Sequence, residues 1–353
     1  MEILVLGGTG AMGVPLVKLL SQRGDRVYVT SRSKKQNEEN IKYIRGNAKD
    51  KVFFDELMNK KYDAIIDFMV YGTEEFQQRL DSLLDHTDQY FFFSSSRCYA
   101  ESKGAISEDS PRLVDVCNDL DYLVTDEYGL AKGKQENLLF NSKKKNWTIV
   151  RPYITYNAYR IQLGVYEKEN WLRRALEGRT IVFPEDIASK RTSLTFGPDV
   201  AGAVVDLIGN KQAFGQAFHI TTDESHTWSE ILDFYCKIIE RKTGKKPKIK
   251  MVKDSTELQK IWNPWQIRYD RLYNRVFDNS KIESVRGKYD YKLCFEGLNE
   301  CLDKFLENPE WLSINIEYEA WCDQQTGEFF PLWKIPGRRN KIKYLKWRFM
   351  KKI

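Results

Sequence analysis

The sequence contains few histidines and no closely spaced pair of cysteines. Only three histidines occur among 353 residues, which leaves little material for a histidine-rich metal centre, and no metal site is predicted. The six cysteines are scattered and contain no Cys-x-x-Cys pair. We therefore expect free thiols in a reducing cytoplasm.

Long apolar runs are also missing. No uncharged apolar run approaches the roughly 20 residues that a membrane span needs, which argues against an integral membrane protein. The N-terminus starts with an acidic residue and a strand-like segment, whereas a signal peptide has a basic start and a longer apolar segment. Both observations favour a cytoplasmic protein.

Positive charge is concentrated at the C-terminus. The chain has a net charge of +6, but residues 334–353 contain nine Lys or Arg and no acidic residue. Removing these nine charges from +6 leaves −3 on the first 333 residues. Because the positive charge is segregated in a tail, it does not indicate a DNA-binding fold, and no DNA partner is expected.

Strand-like and helix-like segments alternate in the first half of the chain. Apolar, β-branched runs occur at 2–6, 26–30, 41–45, 63–69, 89–94 and 147–151. Helical spacing of apolar residues is found at 12–23, 50–60, 74–85 and 125–140, and later near 199–209, 228–241 and 295–307. The alternation predicts successive βαβ units, and hence an α/β fold with a doubly wound parallel sheet of the Rossmann type.

The pattern loosens after Pro152, where aromatic residues and loops become more frequent. We predict a Rossmann domain over 1–152 with a returning segment near 187–216, and a smaller C-terminal α+β substrate domain over 153–330. Residues 331–353 form a basic tail in this division. The second domain is expected to lie over the carboxyl edge of the sheet, where such folds bind ligands.

A glycine-rich turn follows the first predicted strand and opens the first predicted helix. It reads Gly7-Gly8-Thr9-Gly10-Ala11-Met12-Gly13. Its glycines permit a tight turn, a close approach of pyrophosphate to the backbone and close packing of helix on strand. The helix N-terminus then offers free N–H groups to the phosphate. The residues predicted to contact a dinucleotide here are Gly7, Gly10, Ala11, Met12 and Gly13.

Tyr128 and Lys132 form a Tyr-x-x-x-Lys pair in a segment of helical character. Residues four apart share one helix face, so the phenol and the ammonium can point into one site. A free tyrosine has a pKa of ~10, and a nearby ammonium can lower that pKa by ~1–3.

Ser95 and Ser96 follow the fifth strand-like run, where a hydroxyl can form a hydrogen bond with a substrate oxygen. Each pattern alone is also typical of a solvated helix face or a strand-ending turn.

Together, the glycine turn, the serine turn and Tyr-x-x-x-Lys resemble the extended short-chain dehydrogenase/reductase family, which includes the NAD-dependent nucleotide-sugar epimerases, dehydratases and reductases. The resemblance covers roughly residues 1–308. Further segments similar to the family pattern are Arg45–Asp50, Arg151-Pro152, Arg191–Ala201, Phe218–Ile220, Thr227–Glu230 and Phe277–Lys281.

The resemblance implies a role for each site residue. Tyr128 would be the general acid/base for the reacting oxygen, and Lys132 would hold the nicotinamide ribose and lower the pKa of the tyrosine. Ser95 would position the substrate oxygen, with Ser96 as the alternative. Arg191 would clamp the substrate diphosphate through its bidentate guanidinium, unless it is only a surface arginine. A homodimer is also implied.

The segment after the second strand differs from NAD-preferring members, which place an acid there to hold the ribose hydroxyls. The sequence is Ser31-Arg32-Ser33-Lys34-Lys35. Ser31 and Arg32 are suited to a 2′-phosphate, so NADP(H) is favoured over NAD(H), although a solvated turn would look the same. On the adenine side we expect Asn47, in place of the usual aspartate, and Ala48.

Three more departures bear on the reaction. Ser96-Arg97 stands where sugar 4,6-dehydratases have an Asp-Glu pair, so dehydration is not expected. Ile154 stands where members that bind a nucleoside diphosphate often have Asn. Asp67-Phe68 replaces a common histidine and alanine, and this variant resembles an atypical branch, some of whose members are described as RNA-binding.

These features predict an NAD(P)-dependent oxidoreductase that reduces or oxidises a nucleotide-sugar, in glycan biosynthesis. The alternative is a nucleotide-sugar epimerase that oxidises and re-reduces one sugar on tightly bound NAD. An outside alternative is a non-catalytic RNA-binding or dinucleotide-sensing relative, although Tyr128 and Lys132 are both present.

The tail has two interpretations. Residues 334–353 are predicted to form a helix with Ile342, Leu345, Phe349 and Ile353 on one face. A basic amphipathic helix can lie on an anionic membrane, which would place the protein peripherally at the inner membrane surface. Alternatively, the helix covers the body of the protein or a dimer partner.

Overall fold

The computed structural model describes residues 1–349, which form two compact units. Unit 1 consists of Met1–Asn157, Ser193–Glu224 and Val276–Cys294. Unit 2 consists of Ala158–Thr192, Ser225–Arg275 and the described residues from Phe295 onward.

The elements are numbered in chain order within the described residues. The strands are β1 (Glu2–Leu6), β2 (Arg26–Ser31), β3 (Ile41–Arg45), β4 (Tyr62–Asp67), β5 (Thr87–Phe93), β6 (Trp147–Pro152), β7 (Thr155–Tyr156), β8 (Ile181–Pro184), β9 (Arg191–Thr192), β10 (Thr195–Phe196), β11 (Gln216–Ile220), β12 (His226–Thr227) and β13 (Ile249–Val252). The α-helices are α1 (Gly13–Gln22), α2 (Lys51–Leu57), α3 (Thr73–Asp85), α4 (Leu113–Val116), α5 (Leu120–Leu123), α6 (Tyr128–Asn141), α7 (Lys168–Leu176), α8 (Glu185–Ala188), α9 (Gly197–Leu207), α10 (Trp228–Thr243), α11 (Pro264–Gln266), α12 (Ser280–Arg286), α13 (Cys294–Glu307), α14 (Ile316–Thr326) and α15 (Arg338–Phe349).

Unit 1 is built on a parallel sheet whose strand order is β11-β6-β5-β4-β1-β2-β3. The order reverses between β1 and β4, where Leu6 lies opposite Asp67. Such a reversal leaves a crevice at the carboxyl ends of the strands, and ligands of open α/β sheets bind there. The predicted Rossmann-type sheet is confirmed.

Helices cover both faces of this sheet. On one face, Ile3 and Val5 of β1 share a core with apolar residues of α1 and α9. On the other face, Leu4 and Leu6 share a core with α2, α3 and α6. Because successive strand residues point to opposite faces, a strand that is covered twice needs an apolar residue at nearly every position. The doubly wound arrangement follows from this pattern.

The observed division of the chain differs from the predicted one. Unit 1 extends to Asn157 rather than Pro152, and its returning segment is Ser193–Glu224 rather than 187–216. A further segment, Val276–Cys294, also belongs to unit 1. Its stretch Phe277–Lys281 resembles the family pattern, but the predicted division placed it in the second domain. These segments join unit 1 through pairing between residues that are far apart in the sequence, such as the pairing of β11 with β6.

Unit 2 combines helices with two short strand pairs, β13 with β8 and β12 with β9. The predicted tail is part of this unit, because α15 packs on α14 through Tyr344. Of the four residues predicted on one apolar face, Leu345 packs partly buried against the apolar cluster of Tyr344, whereas Ile342 and Phe349 are exposed. The fourth, Ile353, lies outside the described residues. No helix within residues 1–349 is long and apolar enough to cross a membrane.

Candidate active site

The glycine-rich turn lies at the carboxyl end of β1, where the strand order reverses. Gly7 has a φ of +74°, and a Cβ there would lie 2.9 Å from Sδ of Met69. A Cβ on Gly13 would lie 2.6 Å from the backbone of Gly8, so only glycine lets α1 approach the turn this closely. In contrast, a Cβ on Gly10 would meet nothing within 4 Å among the described residues. The backbone at Gly10 is therefore open to a ligand.

The residues predicted on the cofactor side differ in accessibility. Arg32, directly after β2, and Asn47, after β3, are both exposed. Ser31 is largely buried, with its hydroxyl 3.3 Å from that of Ser33, and Ala48 is buried. Arg32 and Asn47 can thus reach a ligand with their side chains, whereas Ala48 can contribute little more than backbone.

Tyr128 is the first residue of α6, and Lys132 follows one turn later. Nζ of Lys132 lies 5.8 Å from the centroid of the Tyr128 ring and 4.5 Å from that of Phe92. The helix therefore brings the phenol and the ammonium together, as their spacing predicts. They line a cleft of about 210 Å³ together with Val70, Tyr71, Gly72, Asp126 and Ala131.

The amine of Lys132 is buried without a hydrogen-bond partner among the described residues. The side chain is 2% exposed, and burial lowers its pKa to about 8, against the opposing effect of the carboxylates of Asp67 and Glu136. A buried polar group without a partner is costly, and an ammonium has three donors to offer. This orphaned amine fits the hydroxyl groups of a dinucleotide ribose.

A buried carboxylate lies near this lysine. Asp67 ends β4 and accepts hydrogen bonds from the Met69 amide (2.9 Å) and the Tyr90 hydroxyl (3.0 Å). It stands opposite Phe92 in register, on the same face of the sheet as the lysine amine. Burial raises the pKa of Asp67 to about 6, and Lys132 counteracts that rise. The sequence marked Asp67 only as a departure from the family; its place at the end of a central strand was the signal for a site residue.

Ser95 and Ser96 have different environments. The Ser95 hydroxyl accepts from the Arg97 amide (3.2 Å) and caps a short 3₁₀ turn. Ser96 is fully buried and donates to the carbonyl of Arg151 (2.8 Å), which leaves Ser95 as the better candidate for a substrate contact. A Cβ on Gly129 would lie 2.9 Å from the Arg97 carbonyl, so this turn lies directly against the start of α6.

Arg97 is a site residue whose role sequence reasoning missed. Its guanidinium lies 5.2 Å from the centroid of the Tyr128 ring, and it donates to Glu127 (2.6 Å). Glu127 in turn accepts from the Gly129 amide at the start of α6 (2.9 Å). Tyr128 therefore has two cations near its ring, Arg97 and Lys132. The signal in the sequence was the replacement of the dehydratase acid pair by Ser-Arg.

A buried ionic network holds α6 in place. Glu136, one turn after Lys132, accepts from Nε and Nη2 of Arg151 (both 2.8 Å) and from Arg112 (3.0 Å). Ser94 also donates to it (2.5 Å). The two guanidinium groups and Ser94 outweigh burial and hold the pKa of Glu136 below its ordinary value. The network ties the helix to the ends of β5 and β6.

Two further positions on the substrate side were singled out in the sequence, Arg191 and Ile154. Arg191 belongs to unit 2, where Nε donates to the Ser225 hydroxyl (3.1 Å), and its role toward a diphosphate stays a prediction. Ile154 has a φ of +26°, the only positive value at a non-glycine residue among those described. A β-branched residue is strained there, and such strain often marks a functional site.

Within residues 1–349, no group of three His, Cys, Asp or Glu is arranged to hold a metal.

Comparison with known families and structures shows which proteins this chain is similar to. The NAD dependent epimerase/dehydratase family matches residues 3–220, which include the glycine turn, Ser95, Tyr128 and Lys132. In sequence, the chain is 25% identical over 245 residues to the chloroplast stem-loop binding protein of 41 kDa b from Arabidopsis thaliana. That match covers 64% of this chain and 60% of the length of the plant protein.

Solved structures of similar fold include nucleotide-sugar enzymes. UDP-glucuronic acid 4-epimerase from Bacillus cereus, solved with UDP-glucuronic acid and NAD, is 18% identical with a TM-score of 0.66, covering 87% of this chain and 99% of its own. The dTDP-glucose 4,6-dehydratase from Bacillus anthracis, solved with NAD, is also 18% identical with a TM-score of 0.66, covering 88% and 98%. At this level of identity, the similarity shows a shared fold.

Proposed function

This chain belongs to the NAD-dependent epimerase/dehydratase family, and on that basis we propose that it is an NAD(P)-dependent oxidoreductase acting on a nucleotide-sugar. The observation that carries the proposal is the cleft in which Tyr128 lies beside the unpartnered, buried amine of Lys132. A lysine kept buried without a partner is difficult to explain as a structural feature, because burial disfavours its charge. It is explained if a ligand completes its hydrogen bonds.

The dinucleotide, when bound, supplies the hydride chemistry, and the protein supplies position and charge. The glycine turn and the N-terminus of α1 would hold the pyrophosphate, with Gly10 as the open position and Lys132 at a ribose. Tyr128 would then act on the substrate rather than on the dinucleotide.

Tyr128 would exchange a proton with the reacting oxygen of the sugar, and Ser95 would hold that oxygen by a hydrogen bond. The neighbouring cations Arg97 and Lys132 stabilise the phenolate form of Tyr128 in the direction that removes a proton. Glu127 holds Arg97 by an ion pair and so keeps one of these cations in position.

Within the family, the residues favour oxidation or reduction over loss of water. The position of a dehydratase acid pair is occupied by Ser96, which is fully buried, and by Arg97, which is a cation. Neither side chain can remove a proton from a sugar carbon as a carboxylate does. An epimerase with tightly bound NAD is the alternative reaction, since it uses the same tyrosine and lysine.

The first test is replacement of the proposed acid/base. Tyr128→Phe should keep dinucleotide affinity within about threefold and lower turnover at least about 100-fold, because only proton transfer is lost. Turnover is measured with a panel of UDP- and dTDP-sugars and both dinucleotides. The matched control is Tyr62→Phe. Tyr62 is the first residue of β4, and its hydroxyl donates a hydrogen bond to the carbonyl of Leu57. Equal turnover in the two variants would contradict the mechanism.

The second test identifies the cofactor and separates the two reactions. The purified protein is denatured, and any released nucleotide is identified by mass spectrometry. Tightly held NAD would support the epimerase, whose cofactor must survive each cycle. NADP, or an empty site that then binds NADPH, would support the reductase. A protein that binds neither dinucleotide but shifts a stem-loop RNA in a gel would favour the function named for the plant relative.

A further inference from the structure

The last described helix, α15, is fixed to unit 2 by one face. Tyr344 is fully buried in an apolar cluster that includes Ile316 of α14 and Ile335. Its hydroxyl donates to Asp323 (2.5 Å) and accepts from the Phe330 amide (2.8 Å). The orientation of the helix is therefore set by a buried, hydrogen-bonded side chain, and the opposite face is left outward.

That outward face is apolar as well as basic. With about 100° between successive residues of an α-helix, five residues fall within an arc of about 120° centred opposite Tyr344. They are Arg338, Arg339, Ile342, Lys346 and Phe349. Ile342 is 58% exposed and Phe349 is 64% exposed, while Trp333, just before the helix, is 81% exposed. We call these five residues and Trp333 the tail surface.

The charge of the tail surface is available to a partner. Acidic residues of unit 2 pair with Lys334 and Lys343, which lie outside the tail surface. Within the described residues, no ion pair forms to Arg338, Arg339 or Lys346. Residues 334–353 contain no acidic residue that could neutralise them locally. An anionic partner would therefore meet cations that the fold itself has not used.

We propose that the tail surface docks this protein onto an anionic phospholipid bilayer. Stable attachment to such a bilayer takes two contributions, apolar side chains that enter the interface and cations near the headgroups, and both occur here on one helix face. A bilayer is favoured over single-stranded RNA because all three apolar side chains, Ile342, Phe349 and Trp333, can enter a lipid interface, whereas Ile342 provides no ring on which a base stacks.

The geometry predicts an in-plane helix rather than an insertion. Tyr344 holds one side of α15 against unit 2, so only the side bearing Ile342 and Phe349 can enter the lipid. The described helix, Arg338–Phe349, is twelve residues long, well short of the roughly 20 that span a bilayer. Attachment is then reversible and sensitive to salt, since much of it is electrostatic.

The test is sedimentation of the full chain with vesicles. We expect partitioning into vesicles of phosphatidylglycerol and phosphatidylcholine at least about 100-fold stronger than into phosphatidylcholine alone, and its loss at high salt. Replacing Arg338, Arg339 and Lys346 by Gln should weaken it about 100-fold, at about fivefold for each cation. Ile342→Ser with Phe349→Ser should weaken it at least about tenfold at unchanged charge. All these variants keep Tyr344, so circular dichroism and the unfolding midpoint should match the wild type.

The matched control removes three exposed cations of unit 1, Lys103, Lys143 and Lys211, by replacement with Gln. It should change partitioning by no more than about threefold, because none of these three cations belongs to the tail surface. The proposal is overturned if the wild type does not sediment with anionic vesicles, or if the control loses as much binding as the tail variant. It is also overturned if the tail variants lose binding to a stem-loop RNA while vesicle binding is absent.

Discussion

At the scale of single residues, the unusual feature of this site is a buried carboxylate close to a buried amine. The charge of each group affects the pKa of the other. Asp67 and Lys132 lie on the same face of the sheet at the carboxyl ends of its strands. Burial raises the pKa of the acid to about 6 and lowers that of the lysine to about 8, and each charge opposes the shift of its neighbour. The lysine therefore stays cationic at neutral pH partly because of Asp67.

Asp67→Asn should lower the pKa of Lys132 below about 8, because it removes the negative charge that favours the ammonium. A lysine loses its charge as pH rises through its pKa, so any step that needs the cation should fail at lower pH in the variant than in the wild type. The pKa is measured by NMR titration of the lysine Cε signals, with Lys132→Arg for assignment. Asp63→Asn, at the start of β4, is the control. An unchanged pKa in Asp67→Asn would contradict the coupling.

Arg32 is the residue on which the expected NADP(H) preference depends. It is exposed directly after β2, and no acid occurs among Ser31-Arg32-Ser33-Lys34-Lys35. Arg32→Ala should weaken NADPH binding about tenfold or more and leave NADH binding nearly unchanged, since a charge-assisted bond to phosphate is worth about 1.5–3 kcal/mol. Fluorescence titration measures both affinities. The control is Arg26→Ala, an exposed arginine at the opposite end of the same strand. Equal losses for the two dinucleotides would refute the preference.

At the scale of elements, the turn between β1 and α1 contains glycines with two different roles, one in packing and one in ligand binding. Gly13 is needed for packing, because a Cβ there would meet the Gly8 backbone at 2.6 Å. Gly10 has open space beside it among the described residues. The same motif thus contains one glycine required by the fold and another that only a ligand would require.

This difference predicts opposite results for two alanine variants. Gly13→Ala should lower the free energy of unfolding by about 1–3 kcal/mol, because an extra methyl group is forced into a packed contact. Gly10→Ala should leave it within about 0.5 kcal/mol of the wild type but weaken dinucleotide binding at least about tenfold. Urea unfolding and equilibrium titration measure the two quantities. Normal dinucleotide binding by Gly10→Ala would argue against the turn as the pyrophosphate site.

At the scale of the whole molecule, the C-terminal segment is part of a folded unit rather than an appendage. Deleting residues 331–353 would remove Tyr344 and Ile335 from their apolar cluster. The deletion should lower the stability of unit 2 by about 3–6 kcal/mol, at about 1.5–3 kcal/mol for each of the two buried side chains. Differential scanning calorimetry measures the change. The control deletion removes only residues 350–353, and equal midpoints for both deletions would contradict the packing.

The return of distant segments to unit 1 was only partly predictable. Phe218–Ile220 of β11 and Phe277–Lys281 both resemble the family pattern, but for Val276–Cys294 that resemblance did not indicate that the segment belongs to unit 1. It joins unit 1 through backbone bonds in which the Ile106 amide donates to the Val276 carbonyl and the Asp278 amide to the Ile106 carbonyl (both 2.8 Å). Pairing between residues so far apart leaves no local periodicity from which it could be inferred.

By itself, the sequence determined the alternation of strands and helices, the parallel sheet and the two motifs of the site. It could do so because buried strands, helix faces and tight turns each depend on residues that are close together in the chain. The tertiary structure alone decided that Asp67 shares a site with Lys132, that Arg97 lies beside Tyr128, and that Tyr344 rather than Ile342 is the buried side of α15. Each of these depends on contacts between distant segments, and in each the burial or charge of one residue is set by a neighbour that local spacing cannot identify.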